Sequence, residues 1–466
     1  MNVNVVVVKM RILLIQASGN PNRSTYDILL ERISLLFPPS TIPYLASLVP
    51  SKHHVKIIDE NYENLKYNLK PDLVGISYFT ASAPRAYELA DKFRKNGITV
   101  ILGGYHASAL PEEAKQHADS VIIGEAEKTW PQAINDFENR NLKSFYHQKT
   151  PIDINRYSKQ ERYIMKNKIT MGGIEATRGC PYNCDFCAIA NSPIGKPYRK
   201  KNIKKVINEI KSLPQKSFVF YDSSLTVDKE YSKELFRQMK PLQKKFACFG
   251  HADIGDDEEL LKLAQEAGCV AWSVGLETIM QKTLNDFNKT PNKVHNYKKM
   301  VKKLHEYGMV LIGSFVFGFD NDKYDVFDKT LDAINDFEID SIGVSILTPL
   351  PGTRLFKKLD KENRIFDKDW SKYDFYSVVF NPKNMSVDEL YEGTKKVSRE
   401  FHSIKNILTR LFNSKRLGLF TSFALMTHLS TSRIIYKSVF DERLLDKKFK
   451  NKYKLFDASK KILNYS

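Results

Sequence analysis

The sequence predicts an α/β protein in three parts: a doubly wound parallel-sheet unit, a second α/β unit of six strand–helix repeats, and a helical, basic C-terminal region. Three observations carry this. Short β-branched runs alternate with helical patterns over residues 10–135, and such uniformly apolar strands belong to parallel sheets covered on both faces. The alternation restarts near Gly172 and continues to about Leu347. Beyond residue 385 only helical periodicity remains. The expected divisions are 1–140, a linker over 141–168, 169–370, and 371–466.

A chain of 466 residues with 42% hydrophobic residues can bury two or three sizeable cores. Five cysteines, three of them in one loop, do not make a disulfide framework, which points to a reducing, cytoplasmic setting. The opening Met1-Asn-Val-Asn-Val-Val-Val-Val-Lys-Met10 lacks the pattern of a signal peptide. Met10-Arg-Ile-Leu-Leu-Ile reads as the first strand, so residues 1–9 read as an extension or as a start placed too early. No run of eighteen apolar residues occurs, so a spanning helix is not expected.

In the first unit the strands are Arg11–Ile15, His54–Ile58, Leu73–Ser77, Ile98–Gly103 and Ser120–Gly124. Helical patterns cover Ile42–Leu48, Ala83–Lys95 and Pro111–His117. Ligands of doubly wound sheets bind at the carboxyl ends of the strands. Those ends carry Ser77-Tyr-Phe-Thr80, Gly103-Gly104-Tyr105-His106 and Gly124-Glu125-Ala-Glu127. Paired glycines let a large ligand approach the backbone. Residues 136–168 are polar and irregular and read as a crossing segment.

The second unit starts with strand Gly173–Thr177 and continues with Ser217–Asp222, Lys245–Gly250, Val270–Gly275, Met309–Phe317 and Ser341–Leu347. Its helical patterns are Ile203–Ser212, Lys229–Met239, Asp257–Ala267, Val294–Tyr307 and Tyr324–Phe337. The first strand runs into Cys180-Pro-Tyr-Asn-Cys184-Asp-Phe-Cys187. Four thiolates would close a zinc or iron–sulfur site, whereas three leave a coordination position for a ligand. A zinc knuckle short of one ligand, or three unrelated buried thiols, stays open on spacing alone. Cys248 and Cys269 lie in apolar runs and read as core thiols. Later strand ends carry Asp222-Ser223-Ser224, Gly275-Leu-Glu277, Phe315-Val-Phe317-Gly318-Phe-Asp320 and Thr348-Pro-Leu-Pro351-Gly352-Thr353. Each carboxylate taken alone also fits a helix cap or first-turn charge.

The C-x3-C-x2-C spacing, with Phe186 before the last cysteine and Thr177-Arg178-Gly179 before the first, resembles the cluster loop of radical S-adenosylmethionine (SAM) enzymes. The resemblance implies a partial (β/α)6 barrel and a four-iron, four-sulfur (4Fe-4S) cluster on Cys180, Cys184 and Cys187. In that family the fourth iron binds SAM, and one-electron reduction cleaves it to a 5′-deoxyadenosyl radical. By the same resemblance Phe186 lies near the adenine, with the backbone of Phe317 and Gly318. Asp222 and Ser223 stand where the methionine part binds, and Gly275 and Glu277 where the ribose or amino group binds.

The run from Asp72 to Glu127 resembles the cobalamin-binding domain that precedes many radical SAM domains. Ser77 and Thr80 would line the pocket of the nucleotide tail, flanked by Gly103 and Gly104. Relatives that ligate cobalt from the protein carry a histidine in the loop after the first strand. Here that loop is Gln16-Ala-Ser-Gly-Asn-Pro-Asn-Arg, without one. The expected activity is hydrogen abstraction from an unactivated carbon, then cobalamin-dependent methylation; the alternative is coupling, cyclisation or oxidation by the same radical. A non-catalytic iron–sulfur carrier or scaffold is the reading from another class.

Net charge is +18, and residues 401–466 hold fourteen Lys/Arg against four Asp/Glu. Such an end suits an anionic partner. Ile404, Ile407, Leu408, Leu411 and Phe412 recur at helical spacing, with Lys405 and Arg410 beside them. A basic amphipathic helix can lie in a membrane interface or cap the barrel. This tilts the expected substrate toward a lipid or isoprenoid, allows peripheral membrane contact, and makes a ferredoxin or flavodoxin the expected reductant. The methylthio-transferring, RNA-modifying relatives carry extra cysteines upstream; none precedes Cys180, which argues against a nucleic-acid substrate.

Overall fold

The computed structural model describes residues 9–19, 40–65, 69–157, 171–192 and 194–440. The 1–8 extension, most of the loop after the first strand, much of the expected linker and the last basic stretch lie outside the described residues.

The first sheet holds six parallel strands: β1 (Arg11–Gln16), β2 (His54–Asp59), β3 (Leu73–Ser77), β4 (Thr99–Gly103), β5 (Ser120–Ile123) and β6 (Phe145–His147). Their order is β2-β1-β3-β4-β5-β6. Both faces are covered: Ile15, Val74 and Leu102 pack to one side, Leu14, Leu73 and Ile101 to the other. β6 corrects the linker expected from residue 141: Phe145–His147 extends the sheet against β5. Its three residues are too few to show a period. The helix Ala126–Glu138 also lies over part of the stretch read as irregular, with Pro131 inside it.

The second sheet comprises β7 (Gly172–Ile174), β10 (Ser217–Phe220), β11 (Lys245–Gly250), β12 (Cys269–Glu277), β13 (Val310–Phe317) and β14 (Ser341–Ile346), parallel and in sequence order. That order is the open barrel expected from the repeats. The strand read as Gly173–Thr177 is broken: Thr177 and Arg178 form β8, which pairs antiparallel with β9 (Arg199–Lys200). The cysteine loop is thus an excursion held at its base by a two-stranded clasp. Cys248 and Cys269 are buried, their sulfurs 4.0 Å apart, as expected of core thiols.

The C-terminal region is helical: Val387–Phe401, Ile404–Asn413 and Leu419–Phe440. The Ile404–Asn413 helix splits its apolar positions. Ile407 and Leu411 pack toward the core, while Ile404, Leu408 and Phe412 are each more than 60% exposed. Among the described residues no helix is long and apolar enough to cross a membrane.

Candidate active site between the two sheets

A cavity of about 390 Å³ opens where the carboxyl ends of both sheets meet. From the first sheet come Ser77, Phe79, Gly103, Gly104, Tyr105 and Glu125; from the second, Glu175, Arg178, Gly179, Tyr221 and Ser223. Gly104 has φ +117°, and a Cβ there would stand 2.4 Å from the carbonyl oxygen of Tyr78, so only glycine fits this rim. Phe79 and Tyr105, both about half exposed, stack at 6.0 Å with planes 17° apart. Thr80 departs from the expectation. It is buried in the turn Thr80–Ser82 and does not line the cavity.

The cysteine loop leaves the clasp through Gly179, whose φ of +90° places an added Cβ 2.2 Å from the carbonyl of Pro197. Asn191 braces the loop by donating to the carbonyls of Cys184 and Cys187, at 3.1 and 2.8 Å. The Cys180 amide donates to Gly195 at 2.9 Å. Burial pushes the Cys184 thiol up to about 12, with Lys289 opposing and Cys180 and Cys187 adding to the rise. Burial also raises Cys180. Among the described residues no three His, Cys, Asp or Glu side chains are gathered for a single ion. A cubane cluster takes each thiolate to a separate iron, and a three-thiolate loop beside a lysine fits that donor requirement.

Glu277 ends β12 in the left-handed region, φ +65°, at a register shift against β13. Strain of this kind is held at sites where the surroundings over-determine it. Here Lys289 donates to Glu277 Oε1 at 2.7 Å, and Asn292 Nδ2 donates to the Gly275 carbonyl at 2.7 Å. Burial works against the Lys289 ammonium, yet Glu277 and the nearby thiols hold its pKa above the usual lysine range. Lys289 was not legible as a site residue. It stands in a polar loop, and only the fold brings it beside the cysteines.

Asp222 does not line the cavity, while Phe317 and Gly318, expected through their backbone, stand at the carboxyl end of β13. Asp222 is buried; it accepts from the Thr177 amide, from Thr177 Oγ1 at 2.5 Å and from the Ala176 amide at 3.3 Å. It ties the loop's stem to the sheet, while its neighbour Ser223 is exposed and lines the cavity. The Phe317 ring packs against Phe327 at 5.0 Å, and its carbonyl accepts from Leu347. Gly318 donates its amide to Asp322 at 2.9 Å. Phe186, half-buried, meets Phe319 edge-on at 6.0 Å. His106 is buried against Glu113 at 3.2 Å.

The clasp is bolted to the first sheet by charge. Arg178 reaches Glu125 at 3.0 Å, Glu127 at 2.6 Å and Glu175 at 2.7 Å. Arg199 joins Glu125 at 2.9 Å, and the Tyr44 hydroxyl donates to Glu127 at 3.1 Å. The sequence shows these charges but not the pairing of Arg178 and Arg199 with Glu125 and Glu127, since those partners lie about fifty to seventy residues away.

Comparison with known proteins identifies both α/β units. The model of the Radical SAM superfamily matches residues 174–334, and that of the B12 binding domain matches residues 26–134. The bacteriochlorophyllide d C-8(2)-methyltransferase of Chlorobaculum tepidum is 33% identical over 409 residues, covering 83% of this chain and 90% of its own. The chain belongs to the radical SAM superfamily. As a radical SAM enzyme it uses a 4Fe-4S cluster and SAM, and its B12 binding domain adds cobalamin. The C-12(1)-methyltransferase of the same organism is 31% identical, covering 73% of this chain and 76% of its own. The radical SAM methyltransferase TsrM from Kitasatospora setae, solved with tryptophan substrate and a SAM analogue, shares the fold. It has a TM-score of 0.66 and 13% identity, over 93% of this chain and all of that one.

Proposed function

We propose that this radical SAM enzyme methylates an unactivated carbon of a large apolar substrate at the junction of its two sheets. The observation that carries the reading is the shared cavity, lined by the ends of both sheets and flanked by the cysteine loop. When bound, the cluster with SAM supplies a carbon radical on the substrate, and cobalamin supplies the methyl group.

The chain's residues then have distinct tasks. Cys180, Cys184 and Cys187 hold the cluster, and Asn191 and Asp222 keep the loop and its stem in place. Glu277 and Lys289, paired beside the loop, form the polar wall that meets SAM, together with the exposed Ser223. Ser77, Gly103 and Gly104 cradle cobalamin, and the stacked Phe79 and Tyr105 offer a flat apolar face inside the same cavity. Phe317, Gly318 and Thr80 shape the walls from behind.

The printed names of the relatives make a chlorin-type macrocycle the first substrate to test; a lipid or isoprenoid is the second. The exposed Ile404, Leu408 and Phe412, beside Lys405, support contact with an anionic membrane, where such substrates partition. Anaerobic incubation of the reconstituted enzyme with deuterium-labelled methyl-SAM and a chlorin tests the reading. A product heavier by one labelled methyl group supports it; 5′-deoxyadenosine with a ring-closed or coupled product would favour the alternative chemistry.

A further inference from the structure

The outer side of the cysteine loop faces a second, solvent-open pocket of about 630 Å³ that the methylation reading does not use. Asp185, between Cys184 and Phe186, lines it directly. So does Phe287, whose carbonyl accepts the Asp185 amide at 3.2 Å. The next carbonyl, Asn288, accepts from the Cys184 thiol at 3.8 Å. The Phe287 ring meets Phe319 at 4.8 Å, and Phe319 in turn meets Phe186 in the loop. One layer of residues therefore separates this pocket from the cysteines, and it shares no lining residue with the substrate cavity.

The rim of the pocket is positive toward solvent. The helix Arg354–Lys361 carries Arg354, Lys357, Lys358 and Lys361 against the single Asp360. It is fixed to the loop itself: Arg354 Nε donates to Asp185 at 2.7 Å, its guanidinium also donates to the Asn183 carbonyl, and the Leu355 amide donates to the Asp185 carbonyl at 3.1 Å. Lys282 and Lys358 side chains are 71% and 47% exposed, whereas the acids beneath them, Asp185 and Asp320, are 24% and 17% exposed. Asp286 is the acid that stands out with them, paired to Lys282. Lys383 adds a further exposed cation. Cations held outward over recessed carboxylates steer acidic proteins and set their orientation.

We propose that this face, centred on Lys282, Arg354, Lys358 and Lys383, is the docking site of an acidic one-electron carrier protein, which reduces the cluster through the Asp185–Phe287 layer. One electron leaves the carrier and enters the cluster; no bond is made or broken at the interface. The inference rests on the proposed placement of the cluster on Cys180, Cys184 and Cys187.

The test uses the full-length reconstituted enzyme and follows bleaching of the cluster's visible absorbance in stopped flow. The reductant is either a reduced acidic ferredoxin or dithionite. The triple variant Lys282→Gln/Lys358→Gln/Lys383→Gln should be bleached by ferredoxin about tenfold or more slowly at low salt, with a flattened dependence on ionic strength. Its bleaching by dithionite should equal wild type, and the matching Lys→Arg triple variant should restore the ferredoxin rate. Ferredoxin rates unchanged in the Gln variant overturn the docking site, as does a loss with dithionite of the same size. Binding of this face to anionic vesicles with no effect on ferredoxin reduction overturns it in favour of a membrane surface. If wild type binds no iron–sulfur cluster at all, the placement of the cluster fails first, and the docking site with it.

Discussion

Glu277 and Lys289 show what a single residue pair contributes. A left-handed non-glycine residue at the end of β12 is held by one 2.7 Å ion pair, so Lys289→Met leaves a buried carboxylate unpaired. That costs about 3–5 kcal/mol, and thermal unfolding should show it alongside weaker SAM binding by equilibrium dialysis. Gly104→Ala introduces a Cβ against the Tyr78 carbonyl at a positive φ; a destabilisation of about 1–3 kcal/mol and a loss of bound cobalt are expected, with iron retained. Asp322 gives a pH signature. Burial raises its carboxyl to about 7, against the pull of two backbone amides, from an ordinary 3.8. The folded state then binds the extra proton between about pH 4 and 7, so stability contributed here falls as pH rises through that window. Asp322→Asn should flatten the fall in a series of melting temperatures, and an unchanged slope would show that other groups set it.

At the scale of elements, the clasp β8–β9 carries the argument. Its Arg178 and Arg199 join the cysteine loop to Glu125 and Glu127, at the start of the helix that follows β5. Arg178→Met should therefore lower cobalt retention and melting temperature together, while leaving the loop's three thiols in the chain; metal analysis and calorimetry measure the two effects. The strands of both sheets were legible because β-branched apolar runs with Gly-rich ends have few other readings. β6 was not, being three residues long, and neither were the helices Tyr105–Ala109 and Ala126–Glu138, the first short and the second broken in pattern by Pro131. The cysteine loop was legible from spacing, because nearby thiols in sequence must be nearby in space. Asp222 and Phe317 stand at strand ends where the family resemblance expects SAM contacts. Sequence gives the strand end but not which way a side chain turns, and the Asp222 side chain turns inward.

Over the whole molecule, the two sheets set their carboxyl ends face to face, which puts a doubly wound unit's ligand end and a barrel's ligand end into one cavity. Neither half alone makes that volume. The long-range ion pairs and the reach of Lys289 belong to this scale, and no local pattern announces them. On this reading one cavity brings cluster, SAM and cobalamin together. Anaerobic reconstitution with iron, sulfide and cobalamin, followed by metal analysis and a visible spectrum of wild type and Cys184→Ala, tests it most directly. About four irons and one cobalt per wild-type chain are expected. The variant should lose the cluster's absorbance and all SAM cleavage, with cobalt kept. A wild-type chain that holds iron without cobalt, or a Cys184→Ala chain that still cleaves SAM, would contradict it.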